Sequence, residues 1–277
     1  MAAGGLSGRI FLLVADPDDD GAATVARRLA GRHGPDAVAV RTGADVVFAP
    51  ALVVRAGAGS DSAGSALAHA ERVAGGTPAA VLCRVYGAPP PWAARASPGD
   101  VSYAADESSA LLLAWLAALP CPVVNRPTLP GLPGPAFTPT HWLGLATRAG
   151  LPCQGQRMTT SARSHPVPGW TVRRPDGRAY GTRAVPPGPR PAHMAAPLEG
   201  AAADVVVAGD RVHGPLEPSL HDAARRLAST TGCRLLGLRV AQQEGAGQVV
   251  TDIDPAPRLA AAGHAEAVAD LMERLAA

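Results

Sequence analysis

The stretch Arg234–Pro257 reads Arg-Leu-Leu-Gly-Leu-Arg-Val-Ala-Gln-Gln-Glu-Gly-Ala-Gly-Gln-Val-Val-Thr-Asp-Ile-Asp-Pro-Ala-Pro. Leu235–Ala241 and Gln248–Asp254 are apolar runs of strand length. Between them, Glu244-Gly245-Ala246-Gly247 supplies the positive φ angles that a hairpin turn requires. Side chains of a strand alternate between faces, so Asp252 and Asp254 project together, away from Thr251 and Ile253. Pro255 has no N–H to donate and ends the ladder. Two carboxylates at a strand end, fixed by a Pro-x-Pro exit, form a compact site for a hard cation such as Mg²⁺, which takes a few carboxylate oxygens plus phosphate and water. The competing reading is a hairpin whose acidic end faces water.

Working outward, Ser219 can cap a helix over Leu220–Thr230, which Gly232 ends. Before it, Val205–Val212 reads as strand, Gly-Asp turn and strand. After the hairpin, a helix over about Ala262–Ala276 carries Val268, Leu271, Met272 and Leu275 at core-facing spacing. Further upstream, Thr138 can cap a helix with Pro139 at its first position and Gly150 past its end. His141 and Trp142 in that helix could touch a ligand, although capping and packing account for the segment. Trp170–Arg174 is a strand candidate.

The first part of the chain reads as alternating strands and helices. Arg9–Ala15 is an apolar strand, Ala22–Arg32 a helix and Ala37–Arg41 a second strand, a pattern that predicts a Rossmann-like α/β layer. Val46–Ala56 reads as one or two more strands, Gly57–Gly76 as a linker leading through a weak helix, and Ala79–Tyr86 as a buried strand. A helix over Tyr103–Leu119 is apolar around most of its circumference. The strand Cys121–Val124 then runs into Asn125-Arg126-Pro127. The acidic loop Asp16-Pro17-Asp18-Asp19-Asp20-Gly21 reads as a solvated turn before a metal site, and it lacks a phosphate-binding glycine pattern.

Composition excludes several classes. At 277 residues the chain is one large domain or two small ones. A net charge of +2 with mixed signs gives no support for nucleic-acid binding. No apolar run reaches the roughly 18 residues that a membrane span needs. The start of the sequence lacks the pattern of a signal peptide. A soluble cytoplasmic protein is the expectation. Cys83, Cys121, Cys153 and Cys233 lie in or beside apolar segments without a C-x-x-C pair, which predicts buried free thiols rather than zinc ligands. There is no lysine at all, so every basic side chain other than histidine is arginine.

Taken as an ordered set, these segments resemble the ATP-grasp enzymes. In that family the hairpin ends in Glu-x-Asn-Pro-x-Pro, whose Glu and Asn hold the magnesium of ATP. Here the motif stands as Asp252-Ile253-Asp254-Pro255-Ala256-Pro257, so both positions keep an oxygen and neither keeps the family residue. Gly150-Leu151-Pro152 matches the close of a family helix, but its lysine position falls within Thr138–His141. Arg173, or alternatively Arg174, stands where a nucleotide-contacting lysine would be. Two further strands that related ligases insert after the Gly-Asp turn are missing, and only His213–Pro218 remains.

The resemblance implies an α/β (α+β) protein: a pre-ATP-grasp-like domain over 1–127, a degenerate small subdomain over 128–200, and a C-terminal ATP-grasp core over 201–277. It implies ATP and Mg as cofactors, with Asp252 and Asp254 on the metal. Arg173, Arg174 and Asn125 would meet the nucleotide, and Arg239 or Arg126 the substrate carboxylate. Asn125 and Arg126 equally fit a plain strand-ending turn, and Arg239 a surface residue. The implied reaction joins a carboxylate to an amine, as in ligases of peptide modification and natural product biosynthesis, with a peptide or small-molecule substrate. The alternative is a non-catalytic relative that acts as a partner or carrier-binding subunit, and self-association is a further candidate interaction.

Overall fold

The computed structural model describes residues 9–49, 60–129, 131–159, 171–173, 179–181, 192–196, 198–261 and 263–277. Its helices are α1 (Asp20–His33), α2 (Gly43–Val47), α3 (Ser60–Ala74), α4 (Pro98–Ala118), α5 (Pro139–Arg148), α6 (His221–Thr230) and α7 (His264–Ala276). The chain divides into two compact units. The first comprises Met1–Ala136, Thr231–Leu235 and Arg258–Ala277, and the second Phe137–Thr230 and Leu236–Pro257.

In the first unit, β1 (Arg9–Val14), β2 (Val38–Arg41), β3 (Thr77–Cys83) and β4 (Val123–Val124) form a parallel sheet in the order β2-β1-β3-β4. Ile10–Val14 is buried at every position, as a parallel strand covered on both faces must be. Ile10, Leu12 and Val14 share a core with α2, α3 and α4, in which Trp115 and Leu116 are fully buried. Phe11 points the other way, onto His33 of α1 with ring centroids 5.3 Å apart. That second face is completed by α7, which packs on α1 and β3. Arg32 of α1 donates to Asp270 (2.9 Å) and Glu273 (2.8 Å) and pairs with Glu266, a stripe at i, i+4 and i+7 of α7. These carboxylates hold the Arg32 guanidinium more firmly protonated than usual. The apolar stripe of α7 is buried in the first unit.

Val46–Val47 is helical where a strand was expected. Thr42 and Asp45 form a reciprocal capping box, Asp45 N–H to Thr42 Oγ1 at 3.0 Å and Thr42 N–H to Asp45 Oδ2 at 2.8 Å, and this nucleates α2. The rest of that expected strand, 50–56, lies outside the described residues. The long helix starts at Pro98 rather than Tyr103, because the Ser97 hydroxyl caps the Asp100 N–H.

Two polar groups in the first unit are fixed by burial. Asp19 caps α1 at the Ala22 N–H (2.9 Å) and takes both ends of the Arg84 guanidinium, at 2.6 and 3.3 Å. The acidic loop therefore spends this aspartate on structure. Its neighbour Asp16 has a raised pKa, from burial first and then from Asp18 and Asp19. His69 is fully buried, with Nε2 2.9 Å from the Val46 carbonyl, its ring edge-on to Trp115, and Nδ1 without a partner. Burial pushes its pKa below the usual 6.5, so the ring is neutral and Nε2 donates.

The second unit holds two sheets. One, in the order β5-β8-β6-β7, contains β5 (Gln156–Thr159), β6 (Thr171–Arg173), β7 (Ala179–Gly181) and β8 (Ala192–Ala195). The other, in the order β10-β9-β11-β12, contains β9 (Glu199–Ala208), β10 (Arg211–His213), β11 (Leu235–Gln243) and β12 (Gly247–Asp254). Thr138 and Pro139 open α5 as the sequence predicts, and Gly150 follows its end with φ +91. Helix α5 packs on β12 and α6 on β9 and β10, while Arg226 of α6 donates to the Ala149 carbonyl at 2.9 and 3.2 Å. Among the described residues no helix is long and apolar enough to cross a membrane. All four cysteines are free thiols, and burial raises the Cys83 pKa to about 12.

Candidate functional site

The hairpin β11–β12 pairs antiparallel from Gln243↔Gly247 at the tip to Gly237↔Asp254 at the base. The ladder is irregular at one place. Val240 pairs with Val250 and Arg239 with Asp252, so Thr251 is an extra residue in β12, a β-bulge. The Thr251 hydroxyl donates to the Arg239 carbonyl across it (3.1 Å). Counted from the tip without the bulge, Thr251 would face Arg239 and Asp252 would turn toward the buried face with Leu238. With it, Arg239 and Asp252 are exposed opposite neighbours, and Asp254 lies half-buried on the same side. Thr251 and Ile253 are buried.

The exit from the hairpin fixes Asp254. Its Oδ1 accepts the Ala256 N–H at 2.8 Å, and the chain folds back so that Pro257 covers Gly237. A side chain at Gly237 would come within 2.5 Å of the Pro257 Cβ, so glycine is what admits the proline there. Asp252 Oδ1 accepts the Ile253 N–H at 3.0 Å, leaving its second oxygen open among the described residues. The Arg239 guanidinium has no partner among the described residues. The face thus offers two carboxylates and one arginine. Carboxylate oxygens fit a hard divalent cation and the guanidinium fits phosphate or carboxylate. A set of two carboxylates beside a cation suits a metal that arrives with anionic ligands of its own.

The other expected site residues lie elsewhere or are otherwise engaged. Asn125 is 2% exposed at φ +50, and its Oδ1 accepts the Arg234 and Leu235 N–H groups at 2.8 and 2.9 Å while Nδ2 donates to the Leu235 carbonyl at 2.6 Å. Its amide pairs with the backbone as a strand would, instead of facing a ligand. The Arg126 guanidinium donates to the carbonyls of Ala117, Leu119 and Cys121 at 3.2, 3.0 and 3.1 Å, closing the end of α4 rather than facing a substrate carboxylate. Arg173 has its backbone in β6, between Ala179 of β7 and His193 of β8. Arg174 lies outside the described residues. His141 stacks with Phe137, with ring centroids 4.4 Å apart.

Two side chains that tie the hairpin and its neighbouring segments together escape the sequence reading. Gln248 clasps the short loop after β10, donating to the Pro215 carbonyl (2.6 Å) and accepting the Glu217 N–H (2.9 Å). Gln154, 4% exposed, donates to the Ala196 carbonyl and keeps an unpartnered Oε1, while its backbone N–H donates to Val250 of β12 at 2.9 Å. Neither is visible locally, because each partner lies at least 31 residues away.

No family model matches the chain, and no curated protein matches it. Among solved structures, the ATP-grasp ligase PsnB in complex with a minimal precursor is similar over 96% of this chain and 98% of that one, with a TM-score of 0.68 and 18% identity. PsnB has also been solved with minimal precursor, Mg and ADP. The macrocyclase MdnC bound with precursor peptide MdnA from Microcystis aeruginosa MRC gives a TM-score of 0.65 at 9% identity, covering 96% of this chain and 99% of that one. A RimK domain ATP-grasp protein from Sphaerobacter thermophilus DSM 20745 gives 0.54 at 17% identity, over 95% and 98% of the two chains.

Proposed function

We propose, from the premise that this chain has the ATP-grasp fold, that it is a ligase joining a carboxylate to an amine on a peptide, at the expense of ATP and with Mg²⁺. The observation that carries the reading is the exposed face at the base of β11–β12, where Asp252 and Asp254 stand with Arg239. Solved relatives of the same fold carry precursor peptides, which favours a peptide substrate. Asp252 and Asp254 would hold the magnesium, which when bound neutralises charge on the transferring phosphoryl group. Arg239 is assigned to an anionic oxygen of nucleotide or substrate. Arg173 is assigned to the phosphates on the resemblance of its strand alone. The reaction has two steps: the substrate carboxylate takes the γ-phosphoryl of ATP and releases ADP, then the amine displaces phosphate to leave an amide.

Titration calorimetry with Mg·ADP tests the nucleotide half. Binding is expected to fall at least roughly tenfold in Asp252→Asn and again in Asp254→Asn. Unchanged affinity in both variants, or no binding to the wild type, defeats the reading. Incubation with ATP and an acidic precursor peptide should remove one water from the peptide for each bond formed.

A second reading is a non-catalytic relative that binds a partner or carrier protein. It is favoured by the short loop that Gln248 holds shut and by the commitment of Asn125 and Arg126 to backbone. Nucleotide binding without peptide modification would support it.

A further inference from the structure

Resting on the nucleotide reading, the geometry points to Arg239 as the residue that makes cation binding at this face conditional on a bound polyphosphate. Arg239 and Asp252 are direct partners in the antiparallel ladder and both are exposed. Side chains so placed start about 5 Å apart at Cβ. The bulge at Thr251 and the hydroxyl bond to the Arg239 carbonyl hold that register.

An arginine is charged at every working pH. It sets one positive charge against the two aspartates, so the face is only singly negative. A bare divalent cation approaching Asp252 meets a like charge within the distance over which neighbouring charges shift one another's ionisation. A cation that carries a diphosphate or triphosphate meets the reverse. The guanidinium then has phosphate oxygens to bind through its fork, and the open oxygen of Asp252 reaches the metal. Arg239 thus couples the two ligands: the metal enters with the nucleotide and does not lodge without it.

The test uses Mn²⁺ as the probe, followed by loss of the free-ion paramagnetic resonance signal, first alone and then with ADP. The wild type is expected to bind Mn²⁺ alone at least about tenfold more weakly than in the presence of ADP. Arg239→Met should bind Mn²⁺ alone roughly tenfold more tightly than the wild type, while its Mn·ADP affinity falls by a similar factor. Arg239→Lys keeps the charge and should stay weak for Mn²⁺ alone, which separates charge from shape. Asp252→Asn in the Arg239→Met background should cancel the gain. The inference is overturned if Arg239→Met leaves the affinity for Mn²⁺ alone unchanged, or if Arg239→Lys matches Arg239→Met. Failure of the wild type to bind ADP at all, with or without Mn²⁺, would instead remove the nucleotide reading on which the coupling depends. The Mn²⁺-alone comparison still decides whether Arg239 opposes the cation.

Discussion

Arg84 and Arg239 each have an aspartate across from them on a neighbouring stretch of chain, and only Arg84 closes the pair. In the first unit, Arg84 grips Asp19 with both sides of its fork, and the two side chains are 7% and 17% exposed. Arg32 holds three carboxylates of α7, while Arg41 and Arg126 donate to backbone carbonyls. On the hairpin of the second unit, Arg239 and Asp252 occupy opposed positions without an ion pair among the described residues. Arginine is the sole long cation of this chain, and it occurs in two settings. Where it is buried and bonded it holds the fold. At Arg239 it stands exposed beside a carboxylate and unbonded among the described residues, which is the setting of the proposal above.

The largest effect expected from this contrast is in the first unit. Arg84→Ala strands Asp19 without its countercharge and should lower unfolding free energy by about 3 kcal/mol, read from the denaturant midpoint. A loss of about 1 kcal/mol or less, as for an exposed pair, would mean that the pair is screened and the contrast is false. The acid response is a second, smaller test. His69 has its folded pKa below 6.5, so its contribution is fully present above 6.5 and is lost as pH falls from there through the folded value. Thermal melts from pH 7.5 to 4.5 should show a shallower decline in His69→Phe than in the wild type, whatever the substitution costs at neutral pH. Parallel declines would show that His69 does not titrate on unfolding. The smallest effect belongs to the hairpin. Arg239→Gln should change stability by no more than about 0.5 kcal/mol in either direction, because it breaks no bond in the described structure. A cost comparable to that of Arg84→Ala would make Arg239 a structural residue too.

Much of this molecule is written locally. The two strands around Glu244–Gly247, the shared face of Asp252 and Asp254, the capped helix after Thr138 and the stripe of α7 follow from alternation, turn residues and caps. The bulge does not. Val249, Val250 and Thr251 are consecutive buried residues, and nothing in their side chains marks which one is unpaired. The run Val46-Val47-Phe48 invited a strand because β-branched residues favour one, and the capping box of Thr42 and Asp45 outweighed that preference. Asn125 and Arg126 were legible as a turn. The groups they bond were not legible, since the partners of Asn125 lie about 110 residues on, beyond the reach of any local pattern.

The return of α7 to the first sheet bears on how the protein is made. Phe11 and its neighbours are translated long before the helix that completes their cover, and Arg9 closes the circuit by donating to the Ala276 carbonyl. A nascent chain stalled before His264 is expected to carry one finished side of its parallel sheet and one side that α1 covers only in part. That half-covered sheet is a ready client for a chaperone until the final helix docks.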